Sequence, residues 1–91
     1  VNLKETCARA EVRAADLGRL LGITRISVHY WFEGKSNPNK YVAGKVEKIH
    51  RAILSAIDAG DLPLNVRPQN PIERTRAIGA IIIKHHKKKA A

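Results

Sequence analysis

Ala15-Asp16-Leu17-Gly18-Arg19-Leu20-Leu21-Gly22-Ile23-Thr24-Arg25-Ile26-Ser27-Val28-His29-Tyr30-Trp31-Phe32-Glu33-Gly34-Lys35 carries more structural information than any other part of the chain. Leu17, Leu20 and Leu21 fall at i, i+3 and i+4, the apolar spacing of one helix face, which predicts a helix from about Arg13 to Leu21. Gly22 stands just past its end, where a positive φ is cheap only for glycine. Thr24 is then a good N-cap for a further helix reaching about Glu33, because its hydroxyl can accept from a first-turn N–H. In that helix Val28, Trp31 and Phe32 share one side, while Arg25, Ser27, Tyr30 and Glu33 lie away from it, with Ile26 and His29 between. Two helices therefore meet across a very short turn, and Gly18 lets them approach closely. The second offers one face for packing and presents the other outward.

Toward the N-terminus, Asn2 can cap a first helix with Glu5 at the capping-box position, and Leu3, Cys7 and Ala10 recur on one face before an end near Ala10. Toward the C-terminus, residues 35–39 form a polar loop with the turn chemistry of Asn and Pro. A fourth helical stretch begins near Lys40, where Val42, Val46, Ile49, Ile53 and Ile57 step along one face until Gly60, with Gly44 a candidate break. Pro63, Pro68 and Pro71 mark residues 63–71 as an extended linker. Beyond it, Asn70 as cap, Pro71 at N1 and Glu73 open a helix through Ile83. The run Ile81-Ile82-Ile83 is equally a short β-strand, since β-branched residues favour a pleat; the helix is the preferred reading. The expectation is an all-α fold, a compact four- to five-helix bundle containing a helix-turn-helix in residues 1–62, with residues 72–91 as a C-terminal extension of an apolar segment and a basic tail.

The chain of 91 residues is long enough for one domain with one modest core. Lys and Arg number 17 against 8 Asp and Glu, a formal charge of +9 that attracts polyanions. Nucleic acid is the commonest such partner and anionic membrane the second. Residues 65–91 hold 7 of the cations and 1 of the acids, so the excess is concentrated in the tail. That tail ends in Lys87-Lys88-Lys89, which reads as an arm following a nucleic-acid backbone, ahead of a membrane patch or a solubilising end.

A single cysteine excludes an intrachain disulfide and every paired-Cys metal spacing, which fits a reducing cytosol. Cys7 lies on an apolar stripe with no His or Asp at a catalytic spacing, so a buried inert thiol is expected. His85 and His86 are adjacent, cannot easily converge on one ion and precede three lysines; they read as part of a solvated tail. No catalytic, cofactor or metal-binding set is found, and the chain is expected not to be an enzyme. The apolar block 77–83 is far shorter than the ~20 residues that cross a bilayer, and no signal-like segment opens the chain. A soluble protein with no membrane partner is expected. With no Met and Val1 at its head, the chain is expected to have been trimmed or to continue upstream. If helical, the block 77–83 is apolar on nearly every side, so it either folds onto the domain or makes a homodimer seam through Ile78, Ile81, Ile82 and Ile83.

Residues 15–35 resemble the helix-turn-helix of the Cro/C1-type repressor family. Leu17, Leu21, Gly22, Ile23, Thr24, Val28, Trp31, Gly34 and Lys35 stand where that family tends to place its apolar anchors, its turn, its cap and its Gly-Lys ending. The resemblance implies a DNA-binding transcriptional regulator of bacterial or phage repressor type, cytoplasmic and nucleoid-associated, which inserts helix 24–33 into the major groove of double-stranded DNA. It further implies that Arg25, Ile26, Ser27, His29 and Tyr30 face the bases, Arg25 pairing with guanine and Ile26 meeting a thymine methyl. By the same resemblance Arg13, Thr24, Lys35, Ser36, Asn37 and Lys40 contact phosphates and fix register. Two positions depart from the pattern. Ala14 stands where the family often has a phosphate-contacting Gln, with Arg13 beside it as a substitute. Phe32 replaces a residue that is commonly charged, an apolar edge expected to be covered by Tyr41 or the C-terminal segment. The resemblance stops near Pro38, and residues 63–91 match no family. A protein-interaction module that binds or inhibits a partner through the same fold is the alternative, supported by Phe32 and the isoleucine block. The DNA-binding part of a recombinase or transposase is a third reading.

Overall fold

The computed structural model describes residues 2–65 and 68–90, the last four of them as backbone, so the side chains of the expected arm Lys87-Lys88-Lys89 and the start at Val1 lie outside what is described. Five helices follow one another: α1 (Leu3–Ala10), α2 (Ala14–Leu21), α3 (Arg25–Glu33), α4 (Lys40–Ala59) and α5 (Pro71–Ala90). No strand occurs among the described residues. The run 81–83 is thus helical, because it sits inside a longer helix whose backbone bonds are already satisfied.

The ends of the elements are set by local chemistry. Asn2 Oδ1 accepts from Glu5 N at 2.8 Å, Thr24 Oγ1 from Ser27 N at 3.2 Å, and Asn39 Oδ1 from both Tyr41 N and Val42 N. Each satisfies a donor that the first turn leaves without an intrahelical partner. Gly22, Gly34 and Gly60 close α2, α3 and α4 in the left-handed region, with φ of 72°, 75° and 80°. Gly44 does not interrupt α4, which runs unbroken for 20 residues.

The core is built from one stripe of each helix. Cys7 and Ala10 of α1, Leu17 of α2, Val28 of α3, Ala52, Ile53 and Ala56 of α4, and Ile78 and Ile82 of α5 are buried together. Packing of α5 against α4 and α2 completes it, so the segment beyond the prolines shares the core with the first four helices. Of the four isoleucines expected at a seam between copies, Ile78 and Ile82 are instead buried inside this chain and Ile81 is packed partly buried against the same cluster. Ile83 is exposed. The correction has a simple cause: one face of α5 covers α4 and α2, and the apolar block serves intrachain burial before any other use.

Polar side chains fasten both ends of that buried stripe. Thr75, Ile78, Ile82 and His85 recur at intervals of three, four and three residues and are all buried, the spacing of a helix seam. At the first end Thr75 Oγ1 donates to Asp16 Oδ1 at 2.8 Å, and Arg74 Nε lies 3.3 Å from Asp16 Oδ2. Arg74 also donates to the Glu11 carbonyl. At the other end His85 Nε2 is 2.7 Å from Asp61 Oδ2 and its Nδ1 is 3.1 Å from Ser55 Oγ. The expectation of a solvated tail at His85 is overturned, because this imidazole is 2% exposed and clasps the loop after α4. His86, one residue on, points outward. No buried side-chain N or O among the described residues is left without a partner, as a stable interior requires.

Candidate nucleic-acid interface

α2 and α3 position the site. Gly22 N–H and Ile23 N–H both return to Gly18 O, the latter at 2.9 Å, which folds the turn back onto α2. A Cβ on Gly18 would lie 2.9 Å from Ile23 O and 3.2 Å from Arg25 N. Both are backbone atoms, so the close approach expected of Gly18 holds at the very start of α3. Val28 is fully buried and Trp31 and Phe32 are half-buried against the core. Tyr41 is 82% exposed, and among the described residues the backbone of α5 does not approach that of α3. Neither covers Phe32, whose ring packs on the core instead.

The opposite side of α3 is open. Arg25, Ile26, His29, Tyr30 and Glu33 are exposed, Ile26 at 57% and Tyr30 at 44%. A depression at the N-terminal ends of α2 and α3 is lined by Arg13, Ala14, Ala15, Arg25, Ile26 and His29. Its lining thus combines two small alanines with two guanidinium groups. Ala14, at the departure from the family pattern, leaves room, and Arg13 is placed beside it. Ser27 is different: half-buried, with its hydroxyl 3.1 Å from Thr24 Oγ1, it belongs to the cap more than to the outer surface.

At the far end of α3, Glu33 organises the cations. Its Oε1 is 2.9 Å from His29 Nε2 and its Oε2 is 3.1 Å from Lys35 Nζ. The hydrogen bond from Lys35 holds the Glu33 carboxyl below its ordinary range. Lys35 Nζ also lies 5.7 Å from the Tyr30 ring centroid, within reach of a cation–π attraction. Ser36, Asn37 and Lys40 are exposed along the following loop, where Lys40 Nζ stands 5.3 Å from the Tyr41 ring centroid. The expected base-facing and phosphate-facing residues therefore form two clusters: Arg13, Arg25, Ile26 and His29 at one end of α3, and Tyr30, Lys35 and the loop at the other. Sequence reading missed the bridging role of Glu33, although its spacing of four from His29 is the helical pairing interval. It also missed Asp16, whose carboxylate accepts from Arg13 N at 3.1 Å, fixes the start of α2 and ties it to α5.

Two other reactive groups, Cys7 and His85, are buried. Burial pushes the Cys7 thiol up to about 12, which keeps it protonated and unreactive. Ser55, His85 and Asp61 are hydrogen-bonded in sequence, but the imidazole between them is enclosed. No group of three His, Cys, Asp or Glu side chains suited to a metal is found among the described residues, and none of their helices is long and apolar enough to cross a membrane. Comparison of the chain with protein-family models, with curated proteins and with solved structures gives no match.

Proposed function

We propose that the protein binds double-stranded DNA with sequence preference and acts as a transcriptional regulator of repressor type, by occupying its site. The observation that carries this reading is the outer face of α3: exposed, free of any covering element of the chain among the described residues, and rigidly anchored from behind. A helix meant to lie in a major groove needs a fixed angle and a bare face. The Gly18 contact, the Thr24 cap and the buried Val28 supply the first; Arg25, Ile26, His29 and Tyr30 supply the second. Arg25 would pair with guanine and Ile26 would meet a thymine methyl. Arg13, Lys35, Ser36, Asn37 and Lys40 would hold phosphates on either side, with Thr24 and Ser27 presenting the helix start. The resemblance of residues 15–35 to Cro/C1-type repressors agrees with this assignment, as does the charge of +9.

Selection of bound duplexes from a random pool tests it. A preferred site should emerge. On that site Arg25→Ala should cost about 1–3 kcal/mol and relax the preference at a single base pair. Lys35→Ala should weaken all duplexes alike and lower the salt dependence by about one counterion. Equal binding to every duplex, before and after Arg25→Ala, would defeat the proposal of sequence reading.

A further inference from the structure

Away from α3, an apolar groove of about 300 Å³ runs between α2, α4 and α5. It is lined by Leu20, Leu21, Ile49, Ile82 and Ile83 together with the cationic Lys45 and Lys48 and with His86. A second depression shares Leu20, Gly79 and Ile83 and continues along α5 to Ile72 and Arg76. The two make one continuous trough. Ile72, Arg76, Gly79 and Ile83 recur at intervals of four, three and four, so they form the stripe of α5 next to the buried one. The absent Cβ of Gly79 lets Leu20 pack onto α5 where the two depressions meet, since a Cβ there would sit 2.9 Å from Leu20 Cδ2. Ile72, in the second depression, is 59% exposed, and Ile83, shared by both, is 57% exposed. At the rise of an α-helix, the distance between them is about 16 Å, or three helical turns.

We infer that this trough is a docking surface for an acidic amphipathic helix of a protein partner. Its charge gives the sign of the partner. No Asp or Glu lines either depression, and among the described residues Lys45, Lys48, Arg76 and His86 have no hydrogen-bond or ion-pair partner. A helix with aliphatic residues along one side and carboxylates on its flanks satisfies both the apolar and the cationic lining. A second copy is disfavoured, because it would bring the same cations and a further +9 to the seam. A small amphiphilic acid fits less well, since an open trough cannot enclose most of its surface as ligand pockets do. Since among the described residues the backbone of α5 does not approach that of α3, partner and nucleic acid need not compete.

The test uses a designed three-turn peptide with Leu at matching four- and three-residue spacings and Glu on the flanks. Its control is a scrambled peptide of the same composition. The designed peptide should bind and shift the methyl resonances of Leu20, Ile49 and Ile83. The scrambled peptide, the surface variant Ile83→Ser and the double variant Lys45→Glu/Lys48→Glu should each bind about tenfold more weakly or worse. Lys35→Glu, a change of net charge outside the trough, should leave the affinity within about twofold of the unaltered protein's. Equal binding of the scrambled peptide, or an equal loss with Lys35→Glu, would overturn the inference. So would concentration-dependent self-association that shifts the same methyls while the peptide does not bind. No DNA enters the assay, so its failure leaves the DNA-binding reading standing.

Discussion

Helix α3 buries one side chain completely, Val28, whereas α5 buries Thr75, Ile78, Ile82 and His85 and fastens both ends of that stripe to aspartates. Both are short of acids and carry aliphatic and basic residues, yet one is displayed and the other is used up in folding. The difference lies in what surrounds them. α3 is held by a glycine turn and a cap, interactions made within a few residues, and by a small anchor, Val28, in the core. α5 depends on partners 24 to 59 positions away, such as Asp61 and Asp16. A helix held locally can keep its outer face free for a partner. One held by distant contacts spends its inner face on the core, and what remains is the trough beside it.

The contrast can be broken most forcefully at Asp16. Asp16→Ala removes the acceptor for Thr75 and Arg13 N and leaves the largely buried guanidinium of Arg74 without its carboxylate. The expected loss is about 3–5 kcal/mol in chemical denaturation, with early loss of amide protection along α5. Unchanged protection of α5 would mean that its apolar stripe alone holds it. Gly18→Ala strikes the local side of the comparison. Its Cβ meets backbone, so the turn must shift, at an expected net cost of about 1–3 kcal/mol, and duplex preference should suffer more than stability does. An unaltered preference would show that the angle of α3 is fixed elsewhere.

A smaller effect is expected at Glu33, which competes with phosphate for Lys35 and His29. Glu33→Gln should raise DNA affinity severalfold, as loss of a solvent-screened ion pair allows, and most clearly at low salt. A fall in affinity would assign Glu33 a positioning role instead. Acidification should give the gentlest change. Hydrogen bonding from His85 holds Asp61 below its ordinary 3.8. The folded chain thus resists protonation there more than the unfolded chain does. The stability this lends is complete above about 3.8 and is lost as pH falls through the lowered value. Resonances at the C-terminal end of α5 should respond over that range, and Asp61→Asn should remove the response.

How far the fold could be read beforehand followed the range of each interaction. The caps at Asn2 and Thr24, the left-handed glycines at 22, 34 and 60, the close approach at Gly18 and the outward set Arg25, Ile26, His29 and Tyr30 were all legible, because each rests on atoms a few residues apart or on helical period. Ser27 was misjudged in part, since facing outward says nothing of a hydroxyl already engaged by its own cap. The carboxylate of Asp16 and the imidazole of His85 gave no usable signal: an acid in a first turn and a histidine before lysines are both ordinary surface features.

Taken alone, the amino-acid order determined the starts of the helices, the glycine ends of α2, α3 and α4, and which side of α3 is polar, but not that α5 continues past Ile83 to Ala90. Those properties follow from local hydrogen bonding and from the 3.6-residue period. Only the tertiary arrangement decided that α5 lies on α4 and α2, that Ile78 and Ile82 are interior while Ile83 is not, and that two depressions join into one trough. A nearly all-apolar helix has no unique inner face until a neighbouring surface selects one, and the polar residues that pin the selection are distant in the chain.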